Sequence, residues 1–133
     1  GIPMSDLLHS NVSPLEDPHE RVLDGFGFTN LRFNILWPGY RPVRFEARTV
    51  SADGGPLTRF DLAQQIILAY ALFFRKVGEE RLISSMAGYN IALFQGSKAR
   101  ADTPGIQFMQ LYLVSLRLRK TSVGCWVADI EIV

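Results

Sequence analysis

The sequence predicts an α+β domain with two layers: a mainly antiparallel sheet of four to five strands and one long helix packed across one face. Two runs near the start alternate apolar and polar residues with a period of two, and two β-rich runs close the chain. Between the two pairs lies one long apolar stretch opened by a helix-capping pattern. The order β-β-α-(β)-β-β places that helix against a sheet, and 133 residues suffice for one domain.

Residues 1–20 carry Pro3, Pro14 and Pro18 among Ser, Asp, Glu and both histidines. Such spacing breaks helix and withholds ladder donors, so an extended or flexible arm is expected, ahead of a single α+β domain over residues 21–133. Gly1-Ile2-Pro3 reads as a cloning remnant before a native Met4, with no basic-then-apolar leader. Asn11-Val12-Ser13 fits a glycosylation acceptor, a triplet too short to mean much.

After Gly25 and Gly27, Leu31, Phe33, Ile35 and Trp37 fall on one side of a strand, with Arg32 and Asn34 on the other. Trp37-Pro38-Gly39-Tyr40 stops it as a turn. The Trp37 ring should enter the core, and its indole N–H should find an acceptor. Val43, Phe45 and Ala47 then alternate with Arg44, Glu46 and Arg48, and a hairpin is the simplest pairing.

Asp53-Gly54-Gly55-Pro56 is a loop signal. Thr58 stands at an N-cap with Asp61 three residues on, so a helix is expected over Arg59–Val77. Gly78 stands at its C-cap, and Arg75 and Lys76 lie in the last turn. Glu79–Met86 suggests a helical turn, Tyr89–Phe94 a strand and Gln95–Gly105 a polar loop. Ile106–Arg119 and Cys125–Val133 read as strands joined through residues 120–124. In the last strand Trp126, Ala128, Ile130 and Ile132 share one face, opposite Asp129 and Glu131.

Trp37-Pro38-Gly39-Tyr40, Pro56-Leu57-Thr58-Arg59, Val114-Ser115-Leu116 and Ser122-Val123-Gly124-Cys125-Trp126 together resemble a family of uncharacterised fungal proteins. In that family a W-P-G-Y turn precedes a P-[IL]-T-R helix start, and an L-V-S-L strand leads to an S-x-G-[SC]-W hairpin. The likeness spans about residues 28–133, and because the family has no assigned activity and no known catalytic residues it carries no function over to this chain. Cys125 stands where a small hydroxyl residue is expected, which argues against a nucleophile there.

Composition narrows the function classes. Fourteen basic against thirteen acidic residues leave a net charge of +1, too little to steer nucleic acid. Arg32, Arg44, Arg48, Arg117 and Arg119 share a sheet face with Glu46, Asp129 and Glu131, so a nucleic-acid partner is not expected. Arg117 and Arg119 instead suggest cross-strand ion pairs with Asp129 and Glu131. One cysteine forbids an internal disulfide. An intracellular, cytoplasmic location is expected, with a secreted mature chain as the alternative. The apolar run Ile66–Phe74 falls far short of the roughly 20 residues of a membrane span.

Cys125 has only His9 and His19 as imidazole partners, both in the expected arm, which leaves neither a thiolate nucleophile nor a zinc set. The glycine loop before Thr58 lacks the Lys-Ser/Thr of a phosphate loop, and Asp61 would repel an anion. No catalytic residue, metal site or cofactor is therefore expected.

What remains is surplus apolar surface: 47% of residues are hydrophobic and only 20% charged, and mean hydropathy is +0.09. Ile66–Phe74 shows no polar side, so Leu68, Leu72 and Phe73 are candidates for a contact surface. Met109, Leu111 and Leu113 join them, because they fall opposite Tyr112, Val114 and Leu116 on a strand that is then apolar on both faces. The expectation is a non-enzymatic protein-interaction module, a homodimer or the partner of another protein, associating through helix or sheet surface. The alternative is a small-ligand binder or enzyme with a pocket between helix and sheet, lined by Trp37, Tyr40, Tyr70 and Trp126.

Overall fold

The computed structural model describes residues 1–9, 15–21, 30–48, 55, 57–86, 88–92, 105–118 and 125–133. Its strands are β1 (Ile2–Pro3), β2 (Asn30–Ile35), β3 (Val43–Arg48), β4 (Leu111–Leu118) and β5 (Cys125–Ile132); its helices are α1 (Met4–Leu8) and α2 (Arg59–Glu80). The strands form one sheet in the order β1-β4-β5-β2-β3. The hairpins β2–β3 and β4–β5 are antiparallel, as is β1 on β4, whereas β2 runs parallel to β5. This is the predicted α+β architecture, with a mixed sheet and α2 as its one main helix.

Alternation places the core as expected. Leu31, Phe33, Ile35 and Trp37 are buried against Leu62, Ala63, Ile66, Ile67, Tyr70, Phe73 and Phe74 of α2. Phe33 stacks on Phe45 of β3 with ring centroids 5.7 Å apart. At the start of α2, Thr58 Oγ1 accepts the Asp61 N–H at 3.2 Å, and the Asp61 carboxylate accepts the Thr58 N–H at 3.3 Å, the reciprocal cap that the spacing predicts.

The N-terminal segment departs from expectation. It is not an extended or flexible arm where it is described, and the folded unit does not begin at residue 21. Ile2 and Pro3, expected as a remnant, pair with Leu113 and Tyr112 of β4. Met4 and Leu7, three apart on α1, are fully buried, and Gln64 donates to the Leu7 carbonyl at 3.3 Å. Pro3 sits at the N-cap of α1, where its missing donor is not needed. Further on, the carbonyls of Pro18 and Glu20 accept the N–H groups of Phe60 (2.9 Å) and Arg59 (2.8 Å). The Arg59 side chain donates to the Glu16 carbonyl and the Glu20 carboxylate, each at 2.7 Å. Proline-rich chain thus finishes the N-terminus of α2. Leu7→Ala is expected to lower unfolding free energy by about 2–5 kcal/mol in urea titration, the cost of a core cavity; a free arm would show no change.

Two boundaries also differ. The helix runs through Gly78 and ends at Arg81, whose φ of 51° is left-handed, with the Leu82 N–H returning to the Val77 carbonyl at 3.1 Å. A glycine inside a helix costs only about 1 kcal/mol, which the burial of Phe73, Phe74 and Val77 outweighs. Beyond Glu80 the expected helical turn is absent among the described residues, and Ile91 makes a single parallel bridge with Ile106 in place of a strand. A 3-10 turn over Phe108–Gln110 delays β4 to Leu111.

The third correction is the apolarity of β4. Its register with β5 shifts between Leu113 and Ser115, where Val114 is the extra residue of a bulge. One inserted residue reverses the parity of everything after it, so Leu116 joins Leu111 and Leu113 on the face that packs on the core. Among its described side chains Leu111, Leu113 and Leu116 face the core, and Tyr112 and Ser115 take the other side. The loop at residues 53–56 apart from Gly55, the loop at 95–104, the link at 120–124, Arg119, Phe94, Gly25, Gly27 and the triplet at Asn11 lie outside the described residues.

Candidate functional site

Of the six residues expected to form a contact surface, three are in the core. Phe73 is buried against Trp37 and Tyr40, and Leu111 and Leu113 pack beneath α2. The other three are exposed: Leu68 by 52%, Leu72 by 47% and Met109 by 68%. Met109 belongs to the turn before β4 and Leu68 and Leu72 to α2, so the six do not form one patch.

Leu68 and Leu72 line one side of α2 together with Gln65, at the three-and-four spacing that stacks side chains along a helix. Gln65 places that side against the edge of the sheet. Its Oε1 accepts the Arg48 N–H at 2.8 Å, and its Nε2 donates to the Arg48 carbonyl at 3.0 Å. Both main-chain groups of Arg48 therefore point away from β2. By the two-residue period of a strand, those of Glu46 and Arg44 point the same way. Among the described residues β3 is the last strand on this side, so Arg44 and Glu46 present an unpaired edge. Their side chains are exposed, and Glu46 makes a 3.9 Å ion pair with Arg32 of β2. A row of edge donors and acceptors, alternating charge and two half-exposed leucines share one flank of the molecule.

The aromatic quartet does not form a pocket. Trp126 lines a cleft of about 430 Å³ beside Leu62, Ile66 and Leu116, at the N-terminal half of α2. Trp37 and Tyr70 line a different one of about 330 Å³, where β5 parts from the end of β2. Burial, and then the negative charge of Asp129, hold the Tyr70 hydroxyl well above the usual phenol range, so it stays a neutral donor. Tyr40 lines neither cleft; its ring meets Phe73 edge-on at 5.9 Å.

Trp37 and Tyr40 have a structural task instead. Each residue of their turn holds the segment from Ser84 to Ile91. Trp37 Nε1 donates to the Tyr89 carbonyl at 2.7 Å, and the Pro38 carbonyl lies 2.9 Å from Ser84 Oγ. The Gly39 carbonyl accepts the Ser85 N–H at 3.1 Å, and Tyr40 Oη accepts the Ile91 N–H at 3.0 Å. Four consecutive residues thereby each bond one residue of the irregular stretches 84–86 and 89–91, at Ser84, Ser85, Tyr89 and Ile91.

Asp129 accepts from Ser115 Oγ at 2.5 Å; the side chains of Arg117 and Arg119, expected to pair with it and with Glu131, lie outside the described residues. No three of His, Cys, Asp and Glu converge among the described residues. The first N–H groups of α2 are taken by Glu20, Pro18 and Thr58, which leaves no open anion site at that terminus. No described helix is long and apolar enough to cross a membrane.

The chain matches no family model, no curated protein and no solved structure. The alternation of residues 43–48 shows which side chains of β3 point outward, but nothing in the sequence marks β3 as an edge. That depends on strand order, and Gln65, which seals the end of the edge, carries no motif.

Proposed function

We propose that this chain is a non-enzymatic, intracellular interaction module that self-associates through the flank formed by α2 and β3. One observation carries the reading: Leu68 and Leu72 stand half-exposed on the side of α2 whose Gln65 holds the end of a strand edge that is unpaired among the described residues. Exposed apolar side chains are ordinary when scattered; here they adjoin the main-chain groups most able to bind another chain. The absence of a disulfide pair is the support for a reducing compartment.

The test is the molar mass of the intact chain by light scattering at tens of micromolar. The parent should be a dimer. Leu68→Glu/Leu72→Glu should be a monomer with its melting temperature nearly unchanged, because solvent-facing substitutions cost the fold only about 0.5 kcal/mol or less. A monomeric parent, or a double variant that remains dimeric, contradicts the proposal.

A further inference from the structure

We infer that the β3 edge takes a second copy of this chain, joined antiparallel in a single register with Phe45 opposite Phe45 of the second copy. The inference rests on the reading of this flank as a self-association surface and specifies how the two copies meet.

Main-chain geometry removes most registers. Only residues whose N–H and C=O face outward can form the hydrogen-bonded pairs of a new ladder, and on β3 these are Arg44, Glu46 and Arg48. Two copies related by a two-fold axis must therefore match even-numbered residues with even-numbered residues. Centred on Arg44, the pairing sets Arg44 against itself. Centred on Glu46, it sets Glu46 against itself and Arg44 against Arg48 twice. Like charges directly opposite destabilise a sheet. Centred on Ala47, it needs the N–H and C=O of Arg48, which Gln65 already holds.

The register centred on Phe45 has none of these faults. Arg44 lies opposite Glu46 of the second copy, and the symmetry repeats the pair, giving two opposite-charge contacts on the exposed face. Val43 faces Ala47, and Phe45 faces its own copy at a non-hydrogen-bonded position, where side chains approach most closely. Phe45 is only partly buried within one chain, so the contact covers apolar surface still open. The ladder also ends where it must. Arg48 falls opposite Pro42, which has no N–H to give, and Gln65 supplies both partners that Arg48 would otherwise lack. On the helix layer the same approach brings the flanks bearing Leu68 and Leu72 toward each other.

Charge reversal tests the register. Sedimentation equilibrium of the intact chain across micromolar to hundred-micromolar concentrations is measured for Arg44→Glu, Glu46→Arg and the two combined. Each single variant places like charges opposite one another twice and should weaken the dimer about tenfold. The combined variant should recover parent affinity. An equimolar mixture of the two single variants should form a heterodimer tighter than either homodimer, a result that a merely structural role for these residues does not produce. A parent dimer indifferent to both reversals but lost in Leu68→Glu/Leu72→Glu would overturn this register and leave self-association standing. A monomeric parent overturns both.

Discussion

Trp37→Ala is expected to lower the unfolding free energy by about 3–5 kcal/mol, enough to leave a domain of this size largely unfolded or aggregated at 37 °C. The ring is 6% exposed and meets Phe74 edge-on at 5.2 Å and Phe73 at 6.5 Å, so its removal opens a cavity between β2 and the C-terminal half of α2. Its Nε1 also supplies the Tyr89 carbonyl with a donor at 2.7 Å. Truncation therefore loses packing and a hydrogen bond in one step. Trp37→Phe separates the two: it keeps an aromatic ring in place and loses the donor, which should cost about 1–3 kcal/mol. Urea titrations followed by circular dichroism give both values. A Trp37→Ala midpoint close to the parent would show that the ring contributes little to the core.

The second large effect is expected at Gly39. Its φ is +84°, and a Cβ there would lie 2.8 Å from the backbone nitrogens of both Ser85 and Met86. Gly39→Ala combines about 1–2 kcal/mol of left-handed backbone strain with about 1–3 kcal/mol of overpacking against main chain that cannot rotate away. Gly88 is the internal control, since its φ is +89° yet an added Cβ meets nothing within 4 Å. Gly88→Ala should show the strain alone. Equal losses at the two positions in parallel urea titrations would mean that the segment from Ser84 to Met86 moves aside freely.

Periodicity made β2, β3 and β5, their buried faces and the start of α2 legible, because each follows from spacing within a few residues. Leu31, Phe33 and Ile35 needed only a period of two, and Thr58 with Asp61 needed only a cap. Elements decided by distant partners were hidden. Met4 and Leu7 form a core-packed helix only because α2 and β4 lie beside them, and five residues carry too little pattern to announce it. The bulge at Val114 changes the face of Leu116 without any glycine to mark it, so an apolar run of mixed parity read as two apolar faces. Gly78 looked like a helix end, but tertiary burial carried the helix on to a left-handed Arg81. The same limit applies to the flank. Its exposed leucines were visible in an unbroken apolar helix, whereas Phe73, Leu111 and Leu113 could not be separated from them without strand order.

The parallel contact of β2 with β5 sets the order in which this molecule can be made. Residues 32–34 lie beside residues 125–127 at the centre of the sheet, so the two hairpins meet across most of the length of the chain. During synthesis β1, α1, β2, β3 and α2 emerge ahead of β4 and β5, and the apolar faces of β2, β3 and α2 have no sheet to complete until β5 has been made. Closing so long a loop is slow relative to forming either hairpin. Until it closes, two edges of the growing sheet stand open: the β3 edge, which no described strand covers, and the side of β2 that β5 will later cover. A nascent chain held at that stage is therefore more prone to join its neighbours than the completed one, and slowing translation ahead of residue 125 should increase the aggregated fraction.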